Sequence, residues 1–401
     1  MGNTVGIAGL KNRSRRRAIR DSLAINSKNF EEKSVVSSSQ ISGTIKKMPA
    51  VDMKNGRDHR QIAATESEIE EISHASCYSV ISEIEAEGED GKPIFGTRLS
   101  SEVKVQLPGG TRRLAIGMRS RPGQNRRGHR KKNQDSILIQ NIPSKGIVKG
   151  QFAVGVFDGH GPFGAEVSSF VSKRFSNFDV SESLGVQDQW EKLFEDVWTD
   201  LSSQESINIH RSGSTANVCV FEDSNTLHCF NVGDCRAVLG SLIQNTRWTV
   251  KDLSSDHSPA RPDERERVEA SGGKVGRIGE VLRIFLKDTW EKPGLTMTRS
   301  FGDGLARTIG VHSVPEVFQP TNFSSSKQHI LIVASDGIWE HSSSQDAVQM
   351  AARFWQRGAG GGGAQAAAQG LVEEARMHWE ENEATVDDCT CIVCFIDRED
   401  C

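Results

Sequence analysis

From residue 112 onward, short apolar runs alternate with turns rich in glycine and aspartate. The runs at 114–118, 137–139, 152–157, 217–221, 227–232, 237–239 and 330–333 have the length and β-branched content of strands. Residues 389–396, Cys-Thr-Cys-Ile-Val-Cys-Phe-Ile, form another β-prone run before the end of the chain. Cys391 and Cys394 lie an odd number of positions apart, so on a strand they face opposite sides. A helical repeat replaces the strand pattern at 184–201, with Trp190, Phe194, Val197 and Trp198 on one side. Two more helices, at 345–356 and 364–381, flank a tetraglycine run at 360–363. Gly358 is placed to terminate the first of them. The tetraglycine lacks the Lys-Ser/Thr of a phosphate-binding loop and reads as a linker. Residues 262–294 predict a helix followed by a hairpin. Strands mixed with helical pairs predict an α+β fold.

Residues 1–110 read differently. Lys11, Arg13, Arg15, Arg16, Arg17 and Arg20 form a basic block ahead of the first acid, Asp21. A serine-rich stretch follows, and then residues 66–90 carry nine acids and no Lys or Arg. Within them Ile69, Ile72, Val80 and Ile84 recur at helical spacing. The expectation is a largely disordered tail, 1–110, holding one acidic amphipathic helix, ahead of a folded domain at 111–401.

Composition narrows the classes. The chain has 401 residues, with 49 Lys and Arg against 53 Asp and Glu, a net charge of −4. That balance argues against a protein that coats nucleic acid. Apolar residues make up 36% of the chain and mean hydropathy is −0.46, which fits a chain with part of its length outside any core. The longest apolar runs, at 330–334 and 392–396, fall far short of the ~18 residues of a membrane span. No apolar stretch of signal-peptide type follows Met1, so neither a secreted nor a membrane-spanning protein is expected. Eight cysteines in this length do not make a disulfide scaffold. Cys389, Cys391 and Cys394 have no histidine at zinc-site spacing and read as buried strand thiols, in keeping with the cytosol or nucleus.

The chemistry lies in acids at strand ends. Asp158-Gly159 follows the apolar run 152–157, and Asp336-Gly337 follows 330–334. Asp234 closes Asn231-Val232-Gly233-Asp234, Asp135 precedes a strand, and Asp387-Asp388 stands before the last one. One such Asp-Gly is an ordinary turn. Several on strands that converge repel one another, and a divalent cation relieves that repulsion. All-oxygen ligands favour Mg²⁺ or Mn²⁺ over zinc.

These motifs, in order, resemble the type 2C protein phosphatases, the metal-dependent Ser/Thr phosphatase family. The matching residues begin with Arg130 and Asn133-Gln134-Asp135, then Val156-Phe157-Asp158-Gly159-His160-Gly161 and Ser212-Gly213-Ser214-Thr215-Ala216. Asn231 to Arg236, Leu253 to His257 with Gly272-Gly273, and Thr298-Arg299-Ser300-Phe301-Gly302-Asp303 follow. Val314-Pro315-Glu316-Val317, Ala334 to Trp339 and Asp387-Asp388-Cys389-Thr390 complete the set, so the resemblance covers about residues 112–397.

The resemblance implies an αββα sandwich: two packed antiparallel sheets flanked by helices, with a binuclear Mg²⁺ or Mn²⁺ site at one end. It implies that Asp158 bridges two cations, that the Gly159 carbonyl completes one site, and that Asp336 and Asp387 serve the other. Asp135 would act from the outer shell. Arg130 would hold the substrate phosphate, and His160 would protonate the departing Ser or Thr oxygen. Asp234 with Glu340 would help hold a third, weaker cation. Gln134 replaces a frequent Glu, Glu340 and Asp388 replace a frequent Asp and Asn, and Cys235 replaces a frequent Ser. The implied activity suits the residues. Two cations sharing a water lower its pKa from ~15.7 towards neutrality. A guanidinium fork matches phosphate oxygens, and a histidine near its ordinary pKa can protonate an alkoxide. The rival readings are a pseudophosphatase that binds phosphorylated partners on the same fold, and a scaffold acting through the charged tail. Nucleic-acid binding through the basic run 119–132 is disfavoured, because that run has no interleaved aromatics.

Met1-Gly2-Asn3-Thr4-Val5-Gly6 resembles a myristoylation signal, though Gly6 stands where Ser or Thr is preferred. A single acyl chain binds membranes marginally, and the basic block at 11–20 would supply the second attraction. The expectation is a cytoplasmic enzyme acting on phosphoproteins; for the tail, an acylated Gly2 resting on a membrane surface is one reading and an ordinary flexible N-terminus the other. Nuclear import is the alternative use of the basic block.

Overall fold

Alternation and continuous burial together decide the strands. In the computed structural model, residues 103–109, 112–142, 150–178, 184–244, 247–287, 289–323, 327–356 and 362–397 are described. The acidic helix expected near 66–90, Gly2, the basic block at 11–20 and Gly358 lie outside those residues.

One antiparallel sheet has six strands. Its order is β1 (Val103–Gln106), β2 (Arg113–Arg121), β17 (Cys389–Ile396), β16 (His329–Ala334), β9 (Arg236–Gln244) and β10 (Arg247–Asp252). The other has five: β15 (Glu316–Asn322), β8 (Thr226–Val232), β7 (Ala216–Phe221), β4 (Gln151–Phe157) and β3 (Ser136–Ile142). Every residue of β4, β7, β16 and β17 is buried, because each strand is covered on both faces. The inner faces meet in a core that includes Ile116, Val154, Val156, Leu331, Val333 and Ile392.

Helices cover the outer faces. Helices α1 (Gly164–Ser176) and α2 (Val186–Ser202) pack on the five-stranded sheet. Trp190, Phe194 and Val197 of α2 are fully buried there, and the partly buried Trp198 carries the Arg307 guanidinium 3.5 Å over its ring. A short helix, α3 (Pro262–Ala270), supports a three-stranded ribbon of β11 (Gly273–Ile278), β12 (Val281–Leu286) and β13 (Thr289–Leu295). After α4 (Gly304–Arg307) and α5 (Asp336–Trp339), helices α6 (Ser344–Gln356) and α7 (Ala364–Asn382) cover the six-stranded sheet. The layer order is αββα, as the sequence resemblance implies. Cys389 and Cys391 point into the helix-side core and Cys394 into the core between the sheets. The six described cysteines are buried free thiols.

Among the elements outside the sequence expectations, which include the edge strand β15 and the short helices α4 and α5, three show why they escape. Strand β1 lies ahead of residue 111, and its alternating Val-Lys-Val-Gln is an edge-strand pattern with only two apolar positions. Helix α1 is rich in serine and buries Val167, Val171 and Phe175. Strand β10 alternates between partly buried and exposed positions at the sheet edge, so it leaves no apolar run. Among the described residues no helix is long and apolar enough to cross a membrane.

Candidate active site

The acids singled out in the sequence come from five different connections. Asp158 leaves the end of β4, Asp135 enters β3, Asp234 lies in the β8–β9 turn, Asp336 opens α5 after β16, and Asp387 precedes β17. Strand pairing makes them neighbours: Ser136 at the start of β3 faces Phe157 at the end of β4, and Ala334 at the end of β16 faces Cys391 near the start of β17. Burial raises the Asp158 carboxyl well above its ordinary pKa, and the charges of Asp135, Asp336, Asp387 and Asp234 push the same way. Asp336 is raised by burial and then by Asp234 and Asp387. Burial, then Asp388, brings Asp135 up to about 7, and burial, then Asp256, brings Asp234 up to about 6.

These carboxylates are short of donors. Asp135 Oδ1, Asp234 Oδ1 and Asp336 Oδ1 are buried and accept no hydrogen bond. Buried polar atoms almost always find partners, so three orphaned oxygens at one place mark a site built for something the chain does not supply. A hard divalent cation matches an all-oxygen donor set. Among the described residues no three acidic, imidazole or thiol groups close into a ready-made cage.

The surrounding backbone is held firmly. Asp158 N–H donates to Thr215 Oγ1 at 2.9 Å, and Thr215 N–H donates back to the Asp158 carbonyl at 2.9 Å. Ser335 Oγ donates to Asp135 Oδ2 at 3.1 Å. Asp388 accepts from Gly123 N–H and, at 2.9 Å, from Gln134 N–H, tying the loop before β3 to the start of β17. His257 Nδ1 accepts from Gly233 N–H at 3.0 Å while Nε2 donates to Glu316 at 3.0 Å, which fixes the turn that carries Asp234. A Cβ on Gly159 would run into the backbone carbonyls of Gly164 and Gln134, so only glycine lets the chain pass there.

His160 sits in a small ladder of β5 (Gly159–His160), β6 (Gly213–Ser214) and β14 (Phe301–Gly302). Its Nε2 donates to Asp303 Oδ2 at 2.6 Å, and Nδ1 is buried without a partner. Burial disfavours the imidazolium, but Asp303 outweighs burial and raises the pKa.

Two predicted residues stand further out. Arg130 is exposed, on a loop whose Gln124 bridges both Arg130 and Val386. Its neighbour Lys131 is the one that meets an acid, with Nζ 3.0 Å from Asp387 Oδ1. Glu340 is exposed at the far end of α5. With Asp234 and Asp336 it lines a groove of about 340 Å³ that Arg236, Arg277 and Val281 also line.

The description "Protein phosphatase 2C" belongs to the family model that matches residues 120–383. The chain belongs to the protein phosphatase 2C family. It is 34% identical over 285 residues to "Probable protein phosphatase 2C 64" of Oryza sativa subsp. japonica, covering 66% of this chain and 62% of that protein. It is 29% identical to "Probable protein phosphatase 2C 73" of Arabidopsis thaliana, over 68% of this chain and 78% of that one. A crystal structure of serine-threonine phosphatase 2C from Toxoplasma gondii shares the fold, with a TM-score of 0.57 and 20% identity over 75% of this chain and all of that one. Within the stretch matched to protein phosphatase 2C, sequence reading passed over Asp303, Thr215, Ser335 and His257 as individuals. All four lie in motifs quoted for the resemblance, but their partners are remote in sequence: Thr215 is 57 positions from Asp158 and Ser335 is 200 from Asp135.

Proposed function

We propose that the chain is a divalent-cation-dependent phosphatase that hydrolyses phosphoserine and phosphothreonine in proteins. The observation that carries this reading is the cluster of buried carboxylates with orphaned oxygens at one end of the sandwich, beside a histidine. Asp158, the Gly159 carbonyl, Asp336 and Asp387 would hold two Mg²⁺ or Mn²⁺ ions, with Asp135 behind them and Asp234 and Glu340 serving a third. When bound, such ions neutralise phosphoryl charge and make the attacking water more acidic.

The chain's own residues do the rest. Arg130 stands exposed on the loop that Gln124 ties to Val386, one position before the Lys131 that meets Asp387, and its planar fork suits phosphate oxygens. His160 gives a proton to the Ser or Thr oxygen as the P–O bond breaks, since an alkoxide leaves poorly unprotonated. The groove beside Asp336 gives the polypeptide around the phosphoresidue a place to lie.

The test is phosphate release from a phosphothreonine peptide, with Mn²⁺, with Mg²⁺ and with a chelator. Release with either cation and none with the chelator is expected. Peptide binding without turnover at saturating Mn²⁺ would instead leave a phosphoprotein-binding module on the same fold.

A further inference from the structure

Asp303 has an unusual set of properties for a residue in a loop. It is 2% exposed, and it is the one non-glycine among the described residues with positive φ, at 50°. A non-glycine residue there is uncommon, and Asn and Asp tolerate it best. Its backbone is held on both sides: N–H donates to the Ser212 carbonyl at 2.9 Å, and its carbonyl accepts from Arg307 N–H at 2.9 Å. Its Oδ2 accepts from Ser300 Oγ at 2.6 Å and from His160 Nε2 at 2.6 Å. Gly213 completes the arrangement, because a Cβ there would collide with Asp303 Oδ2 and His160 Nε2 together. Backbone, neighbours and an empty Cβ position all serve one contact between residues 143 positions apart.

A carboxylate only accepts, so His160 Nε2 carries the hydrogen in that contact. Nδ1 is then the remaining nitrogen, and no group of the chain satisfies it. A buried polar atom left unpaired calls for a partner from outside.

We propose, resting on the phosphatase reading above, that Asp303 is a positioning residue for His160: it holds the ring by Nε2–H so that the proton given to the leaving oxygen departs from Nδ1. The imidazolium loses the Nδ1 proton to the Ser or Thr oxygen as the P–O bond breaks, and the Nε2–H tautomer held by Asp303 remains. The pairing also fixes the ring plane, which a lone histidine on a two-residue strand would not have.

The test uses the full chain with Mn²⁺, comparing a phosphothreonine peptide with an aryl phosphate. An aryl oxide leaves without much protonation, so only the peptide needs the acid. Asp303→Asn, which tolerates the same backbone, is expected to lower kcat on the peptide by about tenfold to a hundredfold, with KM unchanged and the aryl ester within about twofold. In a His160→Ala background the same substitution should add nothing on the peptide. Asp303→Gly, also at ease at that φ, should repeat the pattern if the Asn variant fails to fold. Nitrogen-15 NMR of wild type should show the His160 hydrogen on Nε2, and a mixture of tautomers in Asp303→Asn. Equal losses on both esters, additive losses in the double variant, or a wild-type hydrogen on Nδ1 would each overturn the proposal. A wild type inactive on both esters fails the phosphatase reading instead, and the NMR then judges the Asp303 contact by itself.

Discussion

Two groups of buried carboxylates in this molecule behave in opposite ways. Glu264 on α3 is fully buried, yet its pKa lies far below the ordinary range: burial raises it, but Arg267, Arg299 and Thr298 outweigh burial. Arg267 reaches both its oxygens at 2.7 Å, Arg299 reaches Oε1 at 2.7 Å, and Thr298 Oγ1 donates as well. Asp158 and Asp336 are raised instead, because burial there is joined by other carboxylates. Lys131 meets the group only at its rim, through Asp387. Burial is common to both places, and the presence of an internal cation separates them. Where the chain supplies the cation, the acid is a structural rivet. Where it withholds one, the acids keep their mutual repulsion, which in the proposed function an ion from solution relieves.

The largest effect expected from that contrast is at Asp158. Asp158→Asn should lower turnover on a phosphothreonine peptide by about a thousandfold, the upper range for loss of one preorganised electrostatic group. In chelator it should melt higher than wild type, by about 3 °C, because one repelling charge has gone. A lower melting temperature in chelator would break the comparison, since Asp158 would then be a rivet too.

Glu264→Gln should do the reverse. It strands two arginines, and breaking a buried pair in this way costs about 3 kcal/mol, read as a shift in urea midpoint with unchanged slope. Phosphatase activity per folded molecule should remain near wild type. A variant as stable as wild type would mean that the arginines find water easily and that pairing matters less than supposed here.

Glu316 sharpens the contrast through pH. His257 lowers its pKa to about 2, against the opposing effect of burial and with help from Arg261. A carboxylate whose folded pKa is depressed contributes stability above its unfolded pKa of about 4.5, and that contribution is lost as pH falls through the folded value. Glu316→Gln should therefore cost about 2 kcal/mol in urea at pH 7 and roughly half of that or less near pH 3. A gap that persists undiminished at pH 3 would place the effect in packing.

The smallest effect is at Lys131. Its Nζ competes with any cation for Asp387, but the pair is partly exposed, so removing it is worth little. Lys131→Met should tighten Mn²⁺ binding by about threefold in calorimetry. Weaker binding would show that Lys131 orients Asp387 for the ion.

Much of this architecture is legible along the chain. Strands such as β4 and β16 announce themselves by unbroken apolar runs, and α2 by the spacing of Trp190, Phe194 and Val197, because each preference is set within a dozen residues. The resemblance to the family rests on the whole ordered set of motifs from Arg130 to Thr390. Edge elements were less legible: β1 and β10 are short or half-polar, since one side meets solvent.

Which acid is which was decided only by the folded chain. Glu264 stands in Pro-Asp-Glu-Arg-Glu-Arg, a stretch that reads as a solvated helix face, yet it is buried by Arg299 from 35 positions away. Asp303 reads as the last letter of a turn motif, and crossing strands set it against His160. Local sequence encodes backbone preference and the side of an element that is buried. The charge state of an acid depends on what arrives from the other connections, and that is a property of tertiary proximity.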